Sequence, residues 1–377
     1  MIKQELTYWV TLALMPKMWT KRKNEIYVKC FTHVPQISII DLFENKKCWS
    51  ELGLSEIEIT QMAEACNQLA NNSFLVEELQ DQGYHIIPLR SDKYPKTLKK
   101  NLGTSAPTVL FAKGNLALLQ QPSVAIVGSR KADEISLTFT DNVARKASSE
   151  RKVVVSGFAK GVDRQALDSA LTANGQSIIV LPQGITTFAS GFKQYFKQIA
   201  QGNILVISTF APKAPWRVEF AMARNSTIYG LASEIYVAQS DDKGGTWSGV
   251  VDGLRKQRAI CVRWPEKGEK NANILLVQKG ATAVDLMGNT INIAPENAKT
   301  PEQAEKENIN VKVLNYLTKN EKATAKDILG ILNVDWTDSK MKKYLGTIRD
   351  VEKIKIKNRV YYQLKGKVSN DLFSSFE

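Results

Sequence analysis

SVAIVGSR (residues 123–130) and KVVVSGFAKGVD (residues 152–163) repeat one pattern within forty residues of each other. In each, a short β-branched run, Val124–Val127 or Val153–Val155, stops at a turn of small residues. The first turn is Gly128-Ser129-Arg130; the second runs from Ser156 to Asp163 and holds Gly157 and Gly161. A strand that ends on glycine and hands over to a helix leaves backbone N–H groups unpaired at the helix start, and such groups bind anions. Arg130 and Lys160 add positive charge at the two turns, so phosphate is the expected guest.

Outward from this stretch the same rhythm continues. Apolar runs recur at 178–181, 204–207, 235–238 and 259–262. Helix-like stretches lie between them at 137–147, 164–173, 192–200, 218–231 and 248–256. Runs of four or five apolar residues alternating with helices predict parallel strands covered on both faces, a doubly wound, Rossmann-like α/β sheet. Such sheets bind ligands at the carboxyl ends of their strands. Every small-residue turn falls there: Gly128-Ser129, Ser156-Gly157, Pro182–Gly184, Ser208-Thr209 and Gly244-Gly245.

Residues 1–85 read as a helical domain, with Trp9, Leu12 and Ala13 on one face and a similar spacing from Ile59 to Ala70. Lys17, Lys21, Arg22 and Lys23 cluster after the first helix, either against a phosphate backbone or, more commonly for such runs, in a solvated loop. Short strands are expected at 84–89 and 107–111, so the sheet domain spans 86–295. Residues 296–310, poor in apolar side chains, read as a linker. Three helices, over 313–317, 325–332 and 338–351, and a hairpin around Asn358-Arg359 make residues 311–366 a winged helix, before a tail at 367–377. Thr324 stands where the second of these helices would be N-capped. Residues 311–366 carry 13 Lys and Arg against 6 Asp and Glu, which suits a nucleic-acid contact, with a protein-binding module as the alternative.

Composition narrows the chemistry. The 377 residues carry a formal net charge of +13, which points to a polyanionic partner, nucleic acid before membrane. Cys30, Cys48, Cys66 and Cys261 form no CxxC pair, so neither a zinc site nor a disulfide framework is expected, and no metal. His33 and His85 are the two histidines, which leaves little for histidine-based catalysis. The apolar stretch 6–15 is too short for a membrane span and lacks a cleavage pattern, so a cytoplasmic protein without membrane contact is expected.

The turn Gly128-Ser129-Arg130 is not GxGxxG, and no acidic residue ends the second strand, which disfavours NAD and FAD; no cofactor is expected. Gly128 permits close backbone approach, Ser129 can donate and Arg130 can clamp a phosphate bidentately; the plain alternative is a βα turn with a surface arginine. Asp163 can cap a helix or hold a neighbouring base. Lys243-Gly244-Gly245-Thr246 is a second phosphate cradle, between a strand and a helix. Beside it Trp247 could stack on a base, though packing is the commoner role. Arg217 and Arg224-Asn225 add charge near a strand end.

In order along the chain, VAIVGSR, SGFAKGVDRQAL, LPQG, ARNSTIYGLAS, GGTWSG and NILLVQKGA resemble the DNA-processing protein A (DprA/Smf) family over nearly the whole length. The resemblance implies an extended Rossmann domain between an N-terminal helical (SAM-like) domain and a C-terminal winged helix. It implies a non-enzymatic protein that binds single-stranded DNA, loads RecA recombinase on it during transformation or recombination, and forms a homodimer. Carried over, Arg130 would bind a backbone phosphate. Gly128, Ser129, Ser156, Gly157, Phe158, Lys160 and Gly161 would surround it. Arg224 and Asn225 would sit at the rim, with Lys193, Lys243, Gly244, Gly245 and Thr246 extending the track. Duplex DNA would meet the winged helix.

The chain departs from the family pattern at Leu167, where a histidine is usual, at Ser226, which replaces the second arginine of an Arg-Asn-Arg triplet, and at Phe188-Ala189-Ser190 and Ser208-Thr209. It is a divergent member by this measure. The rival reading is a nucleotide-ligand sensor or phosphoribohydrolase-like protein, including one acting in defence against foreign DNA. It shares Gly244-Gly245-Thr246, but Val250, Val251 and Asp252 stand where a glutamate would act at the ribose.

Overall fold

A computed structural model of the chain describes residues 3–293, 301–332, 334 and 336–365. The chain divides into two compact units, Met1–Ile293 and Ala294–Glu377.

The first unit is built on a nine-stranded sheet. Its strands are β1 (His85–Pro88), β2 (Val109–Gly114), β3 (Ser123–Val127), β4 (Val153–Ser156), β5 (Ser177–Val180), β6 (Ile204–Ser208), β7 (Glu234–Val237), β8 (Ala259–Arg263) and β9 (Thr282–Val284). Their order is β1-β2-β6-β5-β4-β3-β7-β8-β9. From β6 across to β9 all neighbours are parallel, while β1 and β2 add an antiparallel margin. Strands β3 to β6 are buried at every residue, which is why they read as unbroken apolar runs rather than alternating ones. On one face, Phe139, Val143, Ala144, Ala166 and Ala170 from helices Glu134–Ser149 and Val162–Thr172 pack on Val124, Ile126 and Val154. On the other face, Ile228, Leu231 and Val250 close a larger core.

The chain winds from β3 through β4 and β5 to β6, then crosses back to β7 on the opposite side of β3 and winds away to β8 and β9. Adjacent strands whose connections leave in opposite directions open a crevice beyond their carboxyl ends, the usual ligand site of a doubly wound sheet. Here that crevice lies between β3 and β7.

Six helices precede the sheet, Lys3–Leu14, Thr20–Thr32, Ile39–Glu44, Lys47–Glu51, Glu56–Cys66 and Leu69–Asp81. Ser38 and Ser55 start two of them with reciprocal capping boxes to Asp41 and Glu58. Trp9, Leu12, Ile26, Leu42 and Met62 share one core with Ile87, Leu110 and Phe111 of the sheet. The side chain of Asn24 fastens this junction, donating to the carbonyls of Thr104 at 2.8 Å and Ala106 at 2.7 Å and accepting from Thr108 at 3.0 Å. Of the basic cluster that follows the first helix, Lys23 is buried and donates to the carbonyls of Ala13 and Met15, and burial pulls its pKa down to about 8. Arg22 is paired with Glu58 and Lys21 with Glu25. The cluster is thus largely spent on structure.

In the second unit, helices Pro301–Lys319, Ala325–Leu332 and Asp338–Leu345 precede a hairpin of β10 (Val351–Ile356) and β11 (Arg359–Leu364). Val313, Leu317, Ile328, Met341, Leu345 and Tyr362 form its core. Thr324 and Asp327 make a capping box at the second helix, as the sequence suggests. Three expectations need correction. Residues 301–310, expected in the linker, are helical, because an Ala/Glu/Lys-rich run suits a helix as well as a linker. The third helix stops at Leu345 instead of 351, ahead of Gly346. The hairpin turns at Lys357-Asn358, with Ile356 opposite Arg359, and Lys357 takes a positive φ of 52°. Residues 296–300 and 367–377 lie outside the described residues.

In the first unit, β9 and the short helix Asn273–Gln278 before it went unread as elements. The expected helix 192–200 is two short ones, Ala189–Gln194 and Phe196–Ala200. Among the described residues, no helix is long and apolar enough to cross a membrane.

Candidate nucleic-acid interface

At the crevice between β3 and β7 the structure holds a cavity of about 520 Å³. Four segments build it. The turn after β3 supplies Gly128, Ser129 and Arg130; the second turn supplies Ala159 and Asp163; the helix Val218–Leu231 supplies Arg224 and Asn225; and the segment after β7 supplies Gln239, Lys243, Gly244, Gly245 and Thr246.

Backbone hydrogen bonds lock these segments together. Ser129 N–H donates to the Gln239 carbonyl at 3.0 Å, and Val162 N–H donates to the Ser129 carbonyl at 3.3 Å. The Thr246 hydroxyl donates to the Gly128 carbonyl at 3.2 Å. The Gln239 side chain accepts from Asp133 N–H at 3.0 Å. Gly161, at φ 76°, turns the chain so closely over the first turn that a Cβ there would press on the carbonyls of Ser129 and Arg130. That close approach is why glycine stands at this position.

These bonds use up part of the first turn that the sequence reading left free for an anion. The amide of Ser129 is already used, and the following helix starts later, at Glu134, capped by Asp133. By contrast, helix Gly244–Arg255 starts after Lys243 without a side-chain cap. Its first amides border the cavity, so the positive end of a twelve-residue helix faces the crevice.

Arg224 also differs from its expected place. It is not at the rim but buried, 4% exposed. Its Nη2 donates to Asp163 at 3.1 Å, while Nε and Nη1 have no partner. The guanidinium packs against Gly157, where a Cβ would land on it. Asp163 accepts from Ala159 N–H as well, at 3.4 Å. Of the two roles its position suggested, Asp163 holds a base but does not cap the helix, whose N-cap is Gly161 with no side-chain cap; its second bond orders the turn instead. Gly157 and Gly161 shape the site from beneath, and the Ser156 hydroxyl is spent on the Ile126 carbonyl.

The remaining expected residues lie outside the cavity. Phe158, at φ 64°, meets Phe188 edge-on at 4.8 Å, and Arg164 covers its ring at 3.9 Å. Lys160 and Lys193 are exposed and do not line the cavity. Trp247 is half-buried and packs on the core. Val250 is buried, and Asp252 is paired with Arg255 and Lys256, so neither brings a carboxylate into this cavity.

Sequence reasoning missed the apolar wall. Val218, Ala221, Met222, Ile228 and Tyr229 face the basic turns across the cavity. Val218 and Met222 are each 55% exposed, large apolar side chains left open at its mouth. The apolar run Val218, Phe220, Ala221 and Met222, too dense for one buried face of a helix start, was the available signal. Gln239 could have been found as the first polar residue after β7.

A cavity with amides, a helix start and basic side chains on one side and an apolar wall on the other has the two faces of a nucleotide. The family model of DNA recombination-mediator protein A matches residues 85–294. The DNA processing protein DprA of Streptococcus pneumoniae is 33% identical over 166 residues, which cover 44% of this chain and 57% of that one. DprA of Bacillus subtilis is 28% identical over 208 residues, 54% of this chain and 69% of that one. The chain thus spans little more than half the length of the first relative. A solved structure of DNA processing protein A from S. pneumoniae superposes with a TM-score of 0.62 at 24% identity, over 74% of this chain and 94% of that one. The likeness extends to the mixed α/β fold and its large, mostly parallel sheet. Because the matched span takes in the whole sheet from β1 to β9, more than half of the sequence, the chain belongs to the DNA recombination-mediator protein A family.

Proposed function

We propose that the protein binds single-stranded DNA at the crevice between β3 and β7, as a recombination mediator rather than an enzyme. The observation that carries this reading is the two-faced cavity: basic and amide-lined around Arg130 and Lys243, apolar around Met222 and Tyr229. A strand whose phosphate sits on the first face can turn an unpaired base to the second. A duplex keeps its bases stacked and paired, so a single strand is the form that fits. The net charge of +13 supports a polyanion, and the names of the relatives support DNA processing. Lys160 and Lys193, exposed beyond the cavity, would continue the track along the backbone.

We read the helices and hairpin of the second unit as a winged helix that contacts duplex DNA. Lys353, Lys355, Lys357 and Arg359 are exposed on its hairpin, and Lys340 sits over the Trp336 ring at 4.5 Å. We read the six N-terminal helices as the SAM-like part. Homodimer formation and loading of RecA are further parts of this reading, and co-sedimentation of the protein with itself and with RecA on single strands tests them.

The central test is a titration of single-stranded and duplex DNA over a salt series. Arg130→Ala should weaken single-strand binding and reduce the slope of log affinity against log salt by about one. Unchanged affinity and slope would remove Arg130 and this crevice from the interface.

A further inference from the structure

Resting on the single-strand reading, we propose that the crevice between β3 and β7 holds the terminal phosphomonoester of a nucleotide, so that phosphorylated strand ends bind better than strand interiors. Charge is the first argument. The side chains bordering the cavity are Arg130, Lys131, Arg224 and Lys243 against Asp163 and Asp241, a net of two positive charges. A phosphodiester within a strand carries one negative charge. A terminal phosphomonoester carries nearly two at neutral pH, and more acceptor oxygens.

Donors are the second argument. Arg224 is nine-tenths buried, borders the cavity and keeps Nε and Nη1 without an acceptor. Unpaired buried donors are costly and are rare in folded chains without a reason. Asp163 neutralises part of the guanidinium but engages only Nη2. The start of helix Gly244–Arg255, which has no side-chain cap, borders the same space and offers its first amides to an anion. An incompletely paired buried arginine and a helix start therefore border one cavity, a setting that favours an anion richer in charge and acceptors than a diester.

Size is the third. About 520 Å³ lies within the range that encloses one small ligand. It suits one nucleotide, its sugar and base on Val218, Met222 and Tyr229, rather than several successive ones. A free nucleoside monophosphate presents the same chemistry as a strand end, and the test separates the two sources.

The full chain is titrated with a short oligothymidylate in four forms: 5′-phosphorylated, 3′-phosphorylated, unphosphorylated at both ends, and bearing a methyl ester on the terminal phosphate. Circular single-stranded DNA and thymidine monophosphate complete the set. One phosphorylated end should bind about tenfold tighter than the hydroxyl form. The methyl ester, reduced to one charge, should lose that gain, and Lys243→Gln should shrink the ratio between the two forms. Equal affinity for all four linear forms would overturn the proposal; circular DNA that still bound would leave the single-strand reading intact. Thymidine monophosphate binding while circular DNA does not would make the cavity a free-nucleotide site and sink the single-strand reading instead. If none of the probes binds, both fall.

Discussion

Two arginines lie buried in the first unit, and they are used in opposite ways. Arg263, at the end of β8, is 1% exposed and fully engaged. Its Nε donates to the Ala238 carbonyl at 3.0 Å, its Nη1 to Glu269 at 2.8 Å, and its Nη2 to Ser136 at 3.1 Å and to Glu269. Around it, Asn271 bonds Glu269, and Asn273 ties Ala238 to the Arg263 carbonyl. Arg224, beside the crevice, is 4% exposed with one partner and two empty donors. The first is a knot that fixes the loop after β8. The second is an unfinished network. A fold can bury a charge completely when it supplies every partner itself; where it leaves donors open, a guest can complete them.

The contrast is broken or sharpened by substitution. Glu269→Ala strands Arg263 without its carboxylate and should cost about 3–5 kcal/mol of stability, read by chemical denaturation. A loss below about 1 kcal/mol would show that the knot is not a knot. The Arg224→Met, Asp163→Leu double variant removes a pair that is already incomplete. It should leave stability within about 1 kcal/mol of the parent or raise it, while single-strand affinity collapses. Stability loss matching Glu269→Ala would erase the distinction between the two sites.

Gly157→Ala attacks the Arg224 side more gently, since its methyl group would displace the guanidinium. Binding should fall by about tenfold or more, with a stability cost of about 1–3 kcal/mol from overpacking.

Acid offers a third handle. The Arg22 hydrogen bond holds the Glu58 carboxyl down at about 2. Because the folded pKa lies below the unfolded one, this pair stabilises the protein above about pH 4.3, the ordinary glutamate value. That contribution fades as pH falls from there through about 2. Glu58→Gln should flatten the stability profile across that window and leave DNA binding at neutral pH unchanged. A binding defect would tie the N-terminal helices to the interface. The smallest effect belongs to Lys160→Ala or Lys193→Ala. Outside the cavity, each should cost a few-fold at low salt and almost nothing at high salt, where the Debye length is shorter. A larger loss would mean the path of the strand leaves the crevice early.

Much of the fold was legible because parallel strands buried on both faces write themselves as runs of Val and Ile, and β3 to β6 do so. Helix Val218–Leu231 matched its sequence reading residue for residue. The three-residue β9 was too short to show a period, and residues 301–310 have a composition that serves helix and linker alike. At the site, the glycine turns announced themselves, because only glycine permits the approach of Gly161 to the Ser129 carbonyl. What stayed hidden depends on distant pairings. The Ser129 amide is taken by Gln239, more than a hundred residues on, and nothing local reveals it. The burial of Arg224 runs against the ordinary placing of arginine at surfaces, so it could be seen only once Gly157 and Asp163 were in position.

Asn24 has a consequence for how this chain can vary over time. Its three hydrogen bonds sew the second helix to the segment between residues 104 and 108, within a core that runs unbroken from Trp9 to Phe111. An N-terminal segment attached by a mere linker could be lost, duplicated or exchanged between genes at little penalty. This one could not: its removal would expose the flank of the sheet and orphan two carbonyls. Descendants of this chain should therefore inherit the helices and the sheet as one piece.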